Sequence, residues 1–118
     1  MEAPISNKAQ TGLGLKDSST TMTGSSVLVA AEDPSRGALL LMNCSAHDIS
    51  FVFAPLGTTS APTVTAGAAG VFTLAAAASA GKMGGSYEPD AGFIPTNAIY
   101  ANGTNNDILV CYISQAPV

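Results

Sequence analysis

From Ser26 onward no apolar run is long enough, or repeats at a helical period, to build a helix. What recurs is a short apolar or β-branched run closed by Gly, Pro, Asn or Asp. Residues 27–31 form the first run, closed by Glu32-Asp33-Pro34-Ser35. Residues 38–42 form the second, closed by Asn43-Cys44-Ser45-Ala46, which reads as a hairpin turn. Residues 48–53 follow, with Ile49, Phe51 and Phe53 at period two, hence on one face of a strand. The loop 54–69, with Pro55, Gly57, Pro62 and Gly67, has room for one weak strand around Val64. Residues 71–74 are strand-like, and 81–92 form a second loop with Gly84-Gly85 and Pro89. Residues 93–94 and 98–101 flank Pro95, Asn102-Gly103 opens a tight turn, and 108–113 are the strongest strand. Short strands with frequent turn signals predict an all-β fold: an antiparallel β-sandwich or jelly-roll-like barrel of six to eight short strands. The alanine-rich stretch 74–80 is too short to nucleate a helix and reads as loop or strand end.

Residues 1–24 are different. They are polar, carry Ser18-Ser19-Thr20-Thr21 and show neither period. Extended, such a segment reaches up to ~80 Å at ~3.3 Å per residue. It reads either as a disordered tail or as an extended N-terminal arm that orders on a neighbouring subunit, with the sandwich domain spanning 25–118.

Charge narrows the function. Only 10% of the chain is charged, the net charge is −4, and Lys8, Lys16, Arg36 and Lys82 are its four cations. They are scattered singly, which disfavours nucleic acid and anionic membranes as partners, because both need clustered cations. No apolar stretch is long enough for a spanning helix, and the first ten residues lack a signal-peptide pattern, so use without secretion is expected. A surface so poor in charge suits a protein whose faces are covered by neighbours.

Two segments carry that idea further. In 39–42 and in 108–113 both alternating faces are apolar, whereas an antiparallel sandwich strand needs one apolar face. Either a loop covers the second face or another subunit does. Leu40, Met42, Leu109 and Ile113 are the candidate interface residues on these strands. Arg36, a lone cation before an apolar strand, is a fifth. Its guanidinium would hold a carboxylate or backbone carbonyls at a strand start or interface, or else be solvated in a turn.

No catalytic constellation emerges. His47 is the single histidine, and its neighbour Asp48 would point to the opposite side of an extended chain, so a triad has no orienting carboxylate there. One His and two Cys do not make a zinc site. The acidic clusters Glu32-Asp33, Glu88 with Asp90, and Asn105-Asn106-Asp107 lack calcium-loop spacing. The stretch ending Gly81-Lys82 departs from a phosphate loop at Ala76 and Met83. No cofactor is expected. Cys44 and Cys111 sit in or beside apolar runs and read as buried free thiols rather than as a bridge.

The order of elements resembles that of small β-sandwich virion proteins of tailed bacteriophages. The resemblance rests on the run Arg36 through Ser45 leading into 48–53, the Gly-centred turn 66–70 before a strand, the segment 94–101 and the closing strand 108–113. It implies a non-enzymatic capsid cement (decoration) protein, made in the host cytoplasm and resident in the virion. Its expected partners are the major capsid protein or other virion subunits, and copies of itself, with a trimer the favoured homo-oligomer. A neck, tail or head-fibre-base component is the alternative. A carbohydrate-binding sandwich is a further one, weakened by the lack of Trp for stacking on sugars.

Overall fold

The computed structural model describes residues 14–90 and 92–115. They form an all-β fold of nine strands with no helix among them, arranged as two antiparallel sheets packed face to face. The strands are β1 Gly14–Asp17, β2 Thr20–Thr21, β3 Val27–Ala30, β4 Leu39–Asn43, β5 Ile49–Phe53, β6 Phe72–Leu74, β7 Ser86–Tyr87, β8 Ile99–Asn102 and β9 Ile108–Gln115. Sheet A has the order β1-β9-β4-β7, with β2 also pairing β9, and sheet B has the order β3-β8-β5-β6.

The sandwich class follows from the short runs, but the connection after β4 differs from the expected hairpin. β4 lies in sheet A and β5 in sheet B, so residues 44–48 form an arch between layers rather than a hairpin turn. Residues 103–107 likewise carry β8 in sheet B to β9 in sheet A, with Asn106 in the left-handed region at φ 78°. Arching explains how two consecutive apolar strands each bury one face: they meet across the core instead of pairing at their edges.

Leu39, Leu41, Leu109 and Cys111 of sheet A meet Ile49, Phe51, Ile99 and Ala101 of sheet B. Large side chains buried this fully contribute about 1.5–3 kcal/mol each. Phe51 also stacks on Phe72 at 5.2 Å between centroids, and Tyr87 of sheet A lies 5.7 Å from Phe51, joining the two layers.

Part of the segment expected to be a free arm is built into the domain. β1 and β2 pair with β9, and Met22 is fully buried in the core. The sandwich therefore begins at Gly14 among the described residues, not at residue 25; residues 1–13, the rest of the expected arm, lie outside the description. All four residues of β1 are exposed, so it is held by main-chain pairing to β9, which leaves no apolar period for the sequence to display.

The stretch 74–86 is a seam between the layers. Gly85 donates its N–H to Ala75 O, Asn43 N–H donates to Gly85 O, and Gly84 N–H donates to Asn43 O, at 2.9 Å each. Ala77 and Gly81 donate to Ser45 O and Cys44 O. A Cβ on Gly84 would stand 2.5 Å from Asn43 O and 2.7 Å from Ala75 O; one on Gly85 would stand 2.6 Å from Ala75 N. Small residues recur here because backbone packs on backbone. Asn43, fully buried, is the polar hub: its Nδ2 donates to Leu74 O and His47 O, and its Oδ1 accepts from Ser45 N and Ser45 Oγ.

Candidate functional site

The arches 44–48 and 103–107 bring together the groups most capable of chemistry. His47 Nδ1 lies 2.8 Å from Asp107 Oδ2, with the imidazole about 57% exposed. Asp107, sixty residues away, is thus the orienting carboxylate, while Asp48 accepts the N–H of Ala76. The pair borders a groove of about 550 Å3 that also contains Cys44, Ala80, Ile108 and Val110. Among the described residues no cluster of three or more His, Cys, Asp or Glu side chains exists to hold a metal. What this geometry provides is a side-chain hydrogen bond tying one arch to the other.

Both thiols are free. Cys111 is fully buried, and burial pushes its pKa up to about 11. An unfolded thiol ionises near ~8.5, so the folded state holds its proton more tightly. This contribution is complete below pH ~8.5 and is lost as pH rises toward 11, a change on the order of 3 kcal/mol. Urea titrations between pH 8 and 11 are expected to show falling stability, with a shallower slope for Cys111→Ala. Equal slopes in the two proteins would remove the thiol as the cause.

Arg36 is 5% exposed, so it is neither a solvated turn residue nor an exposed interface residue. Nη1 donates to Pro95 O at 2.8 Å and Asn97 O at 2.9 Å, and Nη2 donates to Ala31 O at 2.7 Å. The fork sutures the β3–β4 connection to the segment entering β8. Burial lowers its pKa, with Asp33 opposing the shift. A guanidinium starts so high that it stays charged at neutral pH.

The outer faces of the two sheets differ. On sheet B, the outward Tyr100 and Val52 are packed by Ala54, Val64, Ala98 and Val71, so the 54–71 loop serves as a cover. Val64 is buried there without forming a strand. On sheet A, Leu40 pairs with Tyr112 and Met42 with Val110, all four half-buried and facing outward. Leu15 and Ile108 extend this row, at 60% and 50% exposure. Leu15, Leu40, Pro89, Ile94 and Tyr112 border a hollow of about 270 Å3.

No family model, curated protein or solved structure matches this chain.

The five candidate interface residues therefore separate on geometry. Leu40 and Met42 lie on the open face of sheet A. Leu109 is fully buried in the core, and Ile113 packs on its margin opposite Leu39, so both point inward; Arg36 is internal. On β9 the outward residues are Ile108, Val110 and Tyr112. A strand apolar on both faces carries no signal for its phase, and a one-residue slip exchanges the faces. Pairing of Leu40 and Met42 with β9 is what sets the phase.

Proposed function

We propose that this chain is a non-enzymatic structural component of a tailed-phage virion, a cement protein that binds the capsid surface and stabilises the shell. The observation that carries this reading is the uncovered apolar face of sheet A on a sandwich whose other face is covered by its own loop around Tyr100 and Val52. Leu15, Leu40, Met42, Ile108, Val110 and Tyr112 form a surface that an isolated soluble chain gains nothing by exposing. A partner surface of standard size, about 800 Å2 per side, would remove it from water. The charge-poor composition supports the same reading, since water-facing solubility is little provided for. Many copies bound to a closed shell each stabilise the assembled state over its parts by linkage.

Copy number in purified particles tests the class of role. A protein that covers repeated sites on a closed shell is expected in numbers on the order of hundreds, whereas about six to a dozen copies would assign it to a neck, tail or fibre ring. Absence from particles would overturn the virion reading.

A further inference from the structure

Residues 14–22 run along one edge of β9 as a strap, and the way they are held makes them separable from the rest of the sandwich. All four residues of β1 and Thr21 of β2 are exposed, so main-chain pairing rather than buried side chains joins these strands to β9. At the bend between them Ser18 N–H donates to Cys111 O at 2.8 Å, and Ser19 Oγ accepts from Cys111 N at 3.1 Å. Ser18 Oγ donates to Val29 O at 2.6 Å, which links the strap to the edge of sheet B. Met22, fully buried, anchors the strap in the core. Its socket leaves no spare room: a Cβ on Gly103 would stand 3.0 Å from both Met22 Cγ and Ile49 Cγ1. We infer that this strap is exchangeable: the β9 edge and the Met22 socket accept residues 14–22 from a second copy of the chain as well as from their own.

A lifted strap leaves an acceptor behind it. β9 is eight residues long and supplies Leu109 and Cys111 to the core, so its bared edge presents main-chain donors and acceptors beside an open socket. A second strap of the same sequence satisfies both at once, and every bond broken in one copy is remade in the other. The hinge allows it. Residues 23–26 join β2 of sheet A to β3 of sheet B, and Thr23, Gly24 and Ser25 are exposed. Their bonding is local: Thr23 Oγ1 accepts from Ser25 N at 3.3 Å and donates to Ser25 O at 3.4 Å. Gly24 bends the hinge at φ 88°, in the left-handed region that a glycine enters freely. Straightened, these residues span about 13 Å at ~3.3 Å each, enough to carry the strap to a neighbouring copy. So short a hinge weakens the preference for closing on the same copy. Exchange leaves the outward face of sheet A in place, with β1 supplied by the neighbour, so the inference is independent of the virion reading.

Register-specific cross-linking of full chains tests it. Leu15 and Ser114 are Cα partners across β1 and β9. A Leu15→Cys chain and an isotope-labelled Ser114→Cys chain are mixed at about 100 µM, held in mild denaturant, returned to buffer and oxidised. The expected product is a heterodimer of about twice the 11.7 kDa chain mass. Peptide mapping is expected to place its disulfide between positions 15 and 114, apart from Cys44 and Cys111. Lys82→Cys used in place of Leu15→Cys is expected to give at least about 10-fold less, since that position is not brought beside Ser114. Gly24→Ala adds a Cβ that meets nothing within 4 Å, so it acts through the backbone alone. It penalises the bent hinge and is expected to raise the exchange equilibrium about 5-fold. Circular dichroism identifies which variants are folded, and Asp17→Cys with Tyr112→Cys, also Cα partners, repeats the test on a second pair. Folded chains that give neither heterodimer above the Lys82→Cys level overturn the proposal, as does an exchange equilibrium that Gly24→Ala leaves unchanged.

Discussion

Replacing Asn43 by leucine is expected to lower the melting temperature by about 15 °C, although the two side chains are close in size. The substitution leaves Leu74 O and Ser45 N without side-chain partners at a fully buried position. Each orphaned buried group costs about 1–3 kcal/mol, so two give roughly 4 kcal/mol. For a chain of this length ~1 kcal/mol shifts the midpoint by about 4 °C. His47 O keeps one donor, Ser45 Oγ at 2.8 Å, which limits the loss. Gly84→Ala is expected to be of similar size, about 3 kcal/mol, because the added Cβ meets backbone atoms at 2.5, 2.7 and 2.8 Å that no rotamer change can move. Gly92→Ala, where a Cβ meets nothing within 4 Å, serves as control and is expected to stay within about 0.5 kcal/mol. If Asn43→Leu melts within about 3 °C of wild type, the seam between the sheets is not held by this residue.

Arg36→Met is the second large effect, expected at about 3 kcal/mol. Three carbonyls lose charge-assisted donors, each worth about 1.5–3 kcal/mol, while relief of burying a cation returns part of that. The donors win because the fork meets three acceptors at 2.7 to 2.9 Å from two different segments. Arg36→Lys should still cost about 2 kcal/mol, since one ammonium cannot reproduce that planar geometry. Chemical denaturation of the three proteins distinguishes this from a surface substitution, which would change stability by under about 0.5 kcal/mol.

The strands legible in the sequence are those with apolar signal: β3, β4, β5, β6, β8 and β9 each coincide with a run read from the residues. The missed strands β1, β2 and β7 are short and carry mainly exposed residues, so main-chain pairing alone defines them. The 44–48 arch reads as a hairpin turn in the sequence because Asn and Ser mark a change of direction without saying whether the chain returns to the same sheet. The seam at 74–86 could be seen as unusual in composition, but close backbone approach is a long-range property, set by where β4 and β6 meet. For the candidate site, two-faced apolarity points to β4 and β9, and of the residues it names Leu40 and Met42 lie on the open face. Leu109 and Ile113 lie on the wrong side of β9 because alternation between two apolar faces has no phase. The His47–Asp107 pair joins residues sixty positions apart through two arches, which no local pattern reports.

The central claim is that this chain acts by covering surface in an assembly, and particles made without it test that claim most directly. Depleted particles are expected to assemble but to lose their contents at lower temperature, or under a smaller osmotic shock, than complete ones. Adding back purified protein should restore survival, and adding Met42→Lys protein should not, because a charge on the open face of sheet A must then be buried. Depleted particles that match complete ones in thermal and osmotic survival would contradict the account.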